Sequence, residues 1–323
     1  MAPAPVTPSE TGPGDLNAIA RMLALLGDEW TLLIVRESLL GARRFTDFAA
    51  LPISNAVLTS RLRTLVDDGL LERRIYQTQP PRAGYHPTEP CQALWPVLVS
   101  IWHWERTWVD HHSPSLPDMR HQECGHDFSP VLRCGNCRQP AGPGDLEGRW
   151  GPGGGWRRSV PRAATRRRVR GDAAAEAGLF PHTMAIFGNR WASAVVGAAF
   201  LGTRRFSDFQ SRLSAPAAVV ADRLRVFCDI GVLQAAAHPQ RADWSEYHLT
   251  PKGLAFFPVV ATAIHWGERH LGSADGPALI LTHTACTEPL HPELACDQCG
   301  QALAGSAVEV VAADRAEDPV RPA

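Results

Sequence analysis

The sequence predicts a mainly α-helical protein with small β-hairpins, an α+β fold class, built as two tandem copies of one module. Three observations lead there. The chain repeats itself at a nearly fixed offset, each copy carries helix-period apolar patterns followed by two short strand-like runs, and each copy ends in a matched set of cysteines and a histidine. At 323 residues the chain also has room for two domains, given a prior of about 150 residues each.

The repeat is the firmest of the three. Trp30 to Phe48 matches Trp191 to Phe209 at an offset of 161, including Gly41-Ala-Arg-Arg-Phe-Thr-Asp-Phe48 against Gly202-Thr-Arg-Arg-Phe-Ser-Asp-Phe209. One inserted residue later the offset becomes 162. It then holds for Arg61-Leu-Arg63 and Arg223-Leu-Arg225, for Gly69 and Gly231, for Tyr85-His86 and Tyr247-His248, and for His103-Trp104 and His265-Trp266. It holds again for Cys124, Cys134 and Cys137 against Cys286, Cys296 and Cys299. A register kept over so many positions marks a duplication. The modules are expected at 15–112 and 175–273, followed by Cys/His segments at 113–140 and 274–305. A Gly/Arg-rich linker is expected at 141–174, with flexible tails at 1–14 and 306–323.

Within the first copy, Asp15 to Leu26 reads as a helix, and Gly27-Asp28 breaks the chain and caps a second helix starting near Trp30. Gly41 ends that helix. Phe45 to Leu51 is short and helical, Pro52-Ile-Ser54 is a turn with Ser54 as N-cap, and Asn55 to Asp67 is a helix. Leu58, Leu62 and Leu65 fall on one stripe of it. Gly69 suits the C-cap. Leu71 to Thr78 and Arg82 to Pro87 read as a hairpin, and Pro90 to about His111 as a long closing helix. The His103-Trp104 and His265-Trp266 pairs on the two closing helices read as core or interface.

A short helix, a tight turn, a second helix with a polar outer face and then a hairpin make a winged helix-turn-helix, whose second helix is shaped for the major groove. The expected architecture is two such modules in tandem, each followed by a small zinc-ribbon-like segment. The residues Gly27-Asp-Glu-Trp-Thr-Leu-Leu-Ile-Val-Arg36, Gly41 to Phe48, Thr59-Ser-Arg-Leu-Arg63 and Asp68-Gly-Leu-Leu-Glu-Arg73 resemble the core of HxlR-type transcriptional regulators. The resemblance covers about 15–112 and, more weakly, 176–273. It implies DNA-binding regulators that work as homodimers joined through their first and last helices, so two modules on one chain are a departure. Some members carry a redox-sensing cysteine in the first helix, where this chain has Asn17 and Gly178. Thiol sensing by that route is not expected.

If the leucine stripe faces inward, Asn55, Thr59, Ser60 and Arg63 lie on the outer face. Asn can pair bidentately with adenine and Arg with guanine, each good pair giving about 1–3 kcal/mol of discrimination. Arg43, Arg44 and Arg61 suit phosphate contacts, and Arg82 lies near the wing tip. Any one of these could be an ordinary solvated residue. The second copy keeps Arg204, Arg205, Arg223 and Arg225, but Ala217, Ala221 and Asp222 replace Asn55, Thr59 and Ser60. Its helix, 217–229, is therefore expected to read bases less, or to read a different half-site.

His121-x2-Cys124-x9-Cys134-x2-Cys137 recurs with the same spacing as His283-x2-Cys286-x9-Cys296-x2-Cys299. Three thiolates and one imidazole can fill a tetrahedral zinc shell, so two structural zinc sites are expected, each drawn from one copy. A disulfide or redox switch, buried packing, or a different fourth ligand are the alternatives. Cys91 and Cys228 do not correspond between copies and read as inert packing.

The formal net charge of -1 conceals unlike parts. Eight arginines between Arg149 and Arg170 lie in a stretch without acids, and the remainder has 24 basic against 33 acidic residues, a net of -9. The arginine stretch suits either contact with DNA phosphates or a solubilising spacer. No apolar run long enough to span a membrane and no signal-peptide pattern is visible, so a cytoplasmic protein with no membrane partner is expected. No Gly-rich phosphate loop or His-Glu-x-x-His appears, so an enzyme is not expected. The expected function is sequence-specific DNA-binding regulation by a single-chain pseudo-dimer. The alternative is a zinc-stabilised protein-interaction module that has lost DNA binding. Double-stranded DNA is the expected partner, with a small-molecule effector and a further homodimer left open.

Overall fold

A computed structural model describes residues 16–109, 116–161, 180–238 and 241–311. The first module runs α1 (Ala18–Leu26), α2 (Glu29–Leu39), α3 (Phe45–Phe48), α4 (Asn55–Asp67), β1 (Leu71–Thr78), β2 (Pro81–Pro87), α5 (Glu89–Gln92) and α6 (Trp95–Trp108). The capping logic of the sequence is visible in it. Asn17, Asp28 and Ser54 accept the backbone N–H groups of Ala20, Thr31 and Val57, satisfying donors that have no partner inside their helices. Leu58, Leu62 and Leu65 are buried. Gly69 takes φ +73, the left-handed conformation that turns the chain out of α4 and into the wing. The single closing helix expected from Pro90 to His111 is instead split. Pro96 sits in the first turn of α6, where its missing N–H costs nothing, so α5 ends and a new helix starts at Trp95.

After β3 (Asp118–His121), β4 (His126–Asp127) and β5 (Pro130–Cys134) come β6 (Leu146–Trp150) and α7 (Trp156–Ser159). The second module repeats the first as α8 (Pro181–Phe187), α9 (Arg190–Phe200), α10 (Phe206–Leu213), α11 (Ala217–Asp229), β7 (Leu233–His238), β8 (Arg241–Leu249), α12 (Pro251–Leu254) and α13 (Phe257–Leu271). It ends in β9 (Leu279–His283), β10 (Pro292–Cys296) and β11 (Val308–Val311).

The two copies meet about a pseudo-twofold axis. Helices α1 and α13, and α6 and α13, pack together, and one apolar core runs through both modules. Trp104 Nε1 donates to the carbonyl of Lys252 at 2.9 Å, and its counterpart Trp266 donates to the carbonyl of Pro90 at 2.8 Å. The paired tryptophans are therefore interface anchors with satisfied ring N–H groups. At Gly27 the second copy comes so near that an added Cβ would lie 2.7 Å from the carbonyl oxygen of Phe187.

The region behind the modules departs from the sequence expectation in two ways. Part of the stretch read as linker is a strand, because β6 pairs antiparallel with β9, with Leu146 opposite His283 and Trp150 opposite Leu279. Likewise the expected tail contains β11, which pairs with β3. These are the same interaction made twice, each copy's terminal strand joining the other copy's first segment strand. Between them β5 pairs with β10, Leu132 lying opposite its own counterpart Leu294 on the pseudo-axis. The two Cys/His segments are thus one interlaced body, and not a separate appendage on each module. Residues 1–15, 162–179 and 312–323, and with them Arg162, Arg166, Arg167, Arg168 and Arg170, lie outside the described residues.

Candidate nucleic-acid interface and metal centres

Helix α4 presents Asn55, Thr59, Ser60 and Arg63 as exposed side chains, opposite the buried leucine stripe. The Thr59 hydroxyl donates to the Asn55 carbonyl at 2.8 Å. The wing beside the helix carries exposed Arg82, together with exposed Arg73, Arg74 and Tyr76, which the sequence reading did not single out. Arg44 lies over the Tyr76 ring, 5.3 Å from its centroid, linking the start of α3 to the wing. The signal was present in the sequence: β1 reads Arg73-Arg74-Ile75-Tyr76, whereas the matching positions of β7 read Ala235-Ala236-Ala237-His238.

Arg74 is paired with Glu72 of its own strand at 2.9 and 3.1 Å, and further arginines are committed within the fold. Arg43 Nη1 donates to the carbonyls of Ser38 and Ala42 at 2.6 and 2.7 Å, and Arg204 does the same to Ala199 and Thr203 at 2.6 and 3.0 Å. Both cap the carbonyl end of the preceding helix, where a cation is favoured. Arg61 Nη2 lies 2.6 Å from Asp28 Oδ2, tying α4 to the N-terminus of α2. Asn189 stands where Asp28 would be in the second copy, and the counterpart Arg223 turns to Asp222 instead. Arg205 reaches Glu246 at 3.4 Å.

The outer face of α11 is quenched by its own acids. Arg225 bonds Asp222 at 2.8 Å and Asp229 at 3.0 Å. The guanidiniums of Arg223 and Arg225 hold the Asp222 carboxyl below its ordinary range by hydrogen bonding to it. Ala217 and Ala221 offer no side-chain hydrogen bonds. The copies therefore share a backbone but not an outer-face chemistry.

The eight paired Cys and His residues form two clusters, but their grouping is not the one expected. His121 and Cys124 of the first copy join Cys296 and Cys299 of the second, and Cys134 and Cys137 join His283 and Cys286. Each His-x2-Cys arm has crossed to the other copy's Cys-x2-Cys turn. The antiparallel pairing of β5 with β10 is the physical cause, because it lays the end of each strand beside the start of the other. In the first cluster His121 Nδ1 is 3.4 Å from the sulfurs of both Cys124 and Cys299, and Cys124 and Cys296 are 3.9 Å apart. In the second, His283 Nδ1 is 3.3 Å from Cys137 and 3.5 Å from Cys286, and Cys134 and Cys286 are 3.9 Å apart. All eight residues are in a position to hold a metal ion, and their cysteines are free thiols. Burial raises the Cys134 thiol, but backbone N–H groups of Cys137, Asn136 and His291 outweigh it and bring the thiol to about 7. His283 Nε2 lies 3.2 Å from the Pro140 carbonyl, which would fix the ring with Nδ1 free to ligate. Cys91, by contrast, is buried among apolar groups that push its thiol up to about 12.

Helices α2 to α4 with the β1–β2 wing define a winged helix-turn-helix protein, present twice. The chain belongs to the HxlR-like helix-turn-helix family, whose profile matches residues 25–113 and 186–275. It is similar to the HTH-type transcriptional regulator Rv3095 of Mycobacterium tuberculosis (strain H37Rv), 35% identical over 138 residues, covering 42% of this chain and 87% of the relative. It is also similar to the HTH-type transcriptional regulator YvaP of Bacillus subtilis (strain 168), 38% identical over 96 residues, covering 29% of this chain and 86% of YvaP. Among solved structures, PA1374 of Pseudomonas aeruginosa, titled as a candidate transcription factor, matches 36% of this chain and 80% of its own at 33% identity, with a TM-score of 0.29. Among the described residues no helix is long and apolar enough to cross a membrane.

Proposed function

We propose that this protein is a sequence-specific DNA-binding transcriptional regulator that acts as a single-chain pseudo-dimer, with α4 as its principal reading helix. The observation that carries the reading is the exposed face of Asn55, Thr59, Ser60 and Arg63 on the second helix of a winged helix-turn-helix in an HxlR-like chain. Asn55 and Arg63 are suited to base edges, and Arg44, Arg73 and Arg82 to the flanking phosphates, with Arg74 joining them once it leaves Glu72. Arg43 and Arg61 hold the scaffold that presents them, and Arg204 caps the matching helix of the second module. Helix α11 binds more weakly, since Arg225 must leave two carboxylates before it can meet DNA. Arg205 and Arg223 also have acidic partners to exchange. The operator is then an imperfect palindrome whose stronger half-site is read by α4, with half-sites about 34 Å apart.

Each crossed cluster takes one structural zinc ion. For Zn–S near 2.3 Å and Zn–N near 2.0 to 2.1 Å, a tetrahedral shell sets S···S near 3.8 Å and S···N near 3.5 Å. The distances of 3.9 Å and of 3.3 to 3.5 Å fit that shell. Three cysteines and one histidine leave no open position, so the ion's contribution is a fixed cross-link. His121 and Cys124 hold one copy to the other through the first cluster, and His283 and Cys286 do so through the second.

Footprinting on genomic DNA fragments at low salt tests the regulator reading. Protection of discrete sites with two unequal halves is expected. Absence of any protected sequence would overturn it and leave the protein-interaction module.

A further inference from the structure

A cavity of about 110 Å³ lies where the first module, the second module and the interlaced segments meet. Met22 of α1 forms one side, Ala194, Gly197 and Phe200 of α9 another, and Trp150 and Trp156 close it from β6 and α7. The two indoles meet edge to face, with centroids 4.9 Å apart. Among the described residues no charged side chain lines the space. The hydroxyls that do are already used, Ser193 donating to the Ile186 carbonyl and Ser159 to the Gly155 carbonyl, each at 2.9 Å. An apolar space of this kind offers water few partners, whereas an engineered apolar cavity of about 150 Å³ takes up benzene or xenon.

The duplication allows the lining to be compared in sequence with the matching positions of the other copy. Leu33 and Arg36 stand in α2 where Ala194 and Gly197 stand in α9, so the matching helix face of the first module carries bulk where α9 carries none. The sequence positions that correspond to Trp150 and Trp156 are Ala312 and Asp318. The small residues that open the space come from the second copy and the tryptophans that wall it trail the first, whereas the reverse combination in sequence is Leu33 and Arg36 with Ala312 and Asp318. Filling such a void with side chains would stabilise the protein, which makes its persistence informative.

We propose that this cavity is a binding site for a neutral, apolar molecule about the size of one aromatic ring, and that occupancy acts as an effector signal. A ligand there touches α1 of one module and α9 and α13 of the other, so it bears directly on the spacing of the two reading helices. That regulatory consequence rests on the DNA-binding reading, but ligand binding does not.

The test is thermal unfolding and tryptophan emission of the full chain, without DNA, titrated with benzene, toluene and, as a charged control, benzoate. Benzene and toluene are expected to raise Tm saturably and to shift the emission through Trp150 and Trp156, while benzoate does neither. Gly197→Leu fills the cavity and should weaken binding at least tenfold. Gly197→Ala, whose Cβ would make only an ordinary 3.8 Å contact with Trp156, is the milder variant should leucine prevent folding, and should weaken binding by a smaller factor. No saturable response to benzene or toluene, or an undiminished response in both variants, would overturn the proposal. Because these readouts need no DNA, a failed footprint leaves them interpretable.

Discussion

Glu105 is the place where burial and charge conflict most sharply at the junction of the two modules, and Glu105→Gln exposes the cost. The side chain is fully buried on α6, and its Oε1 accepts the backbone N–H of Thr183 on α8 at 2.6 Å. Desolvation raises the carboxyl from 4.5 to about 7, against the opposing effects of the Thr183 hydrogen bonds and the Lys252 charge. Because the folded-state value lies above the unfolded one, the native chain binds the extra proton. Stability from this group is therefore full below about 4.5 and is lost as pH rises towards and through about 7. A shift of this size corresponds to about 3 kcal/mol, at about 1.4 kcal/mol per unit. Glutamine keeps the acceptor for Thr183 and cannot ionise. Urea unfolding of both proteins across pH 4 to 9 should give curves that nearly coincide at the acid end and separate by about 3 kcal/mol above pH 7.5, with the variant the more stable. A difference independent of pH, or a variant that becomes relatively less stable as pH rises, would refute the reasoning. Comparing the two proteins cancels the half-buried histidines His103, His265 and His270, whose lowered values give the opposite slope.

Two further perturbations address the reading face and the join between copies. Arg63→Ala should cost about 1–3 kcal/mol of specific operator affinity in a quantitative gel-shift assay, and Arg225→Ala should cost less, because Arg225 is already satisfied by Asp222 and Asp229. The opposite ranking would contradict the asymmetry assigned to the two modules. Gly27→Ala should destabilise by about 1–3 kcal/mol in urea unfolding, since the new methyl would lie 2.6 Å from the Leu23 carbonyl oxygen of its own helix and 2.7 Å from that of Phe187 in the other copy.

The modules were legible in the sequence because local rules decide them. Asp28 and Ser54 cap, Leu58, Leu62 and Leu65 face inward, and Gly69 turns the chain, all within one copy. The crossed clusters were not legible, and the reason is symmetry. His121-x2-Cys124 and His283-x2-Cys286 are equivalent arms, so spacing is satisfied equally by either partner, and only the long-range pairing of β5 with β10 chooses. Strand β6 was hidden by composition. Glycine and arginine dominate its neighbourhood, although Leu146, Gly148 and Trp150 alternate with Glu147 and Arg149 at the period of a strand. The roles of Arg43 and Arg61 were obscured for a third reason. A guanidinium that caps a helix or pairs with a neighbouring acid looks the same in sequence as one left for phosphate.

The claim that the two copies are locked into one body by exchanged ligands has a direct test in the zinc content of two double variants. Cys124 and Cys296 share a cluster, whereas Cys124 and Cys134 belong to different ones. Cys124→Ser with Cys296→Ser should therefore retain about one zinc ion per chain, and Cys124→Ser with Cys134→Ser should retain none, measured by elemental analysis of the folded proteins. The reverse result, one ion kept in the Cys124 and Cys134 variant and none in the other, would mean that each copy closes its own site and that the exchange does not occur.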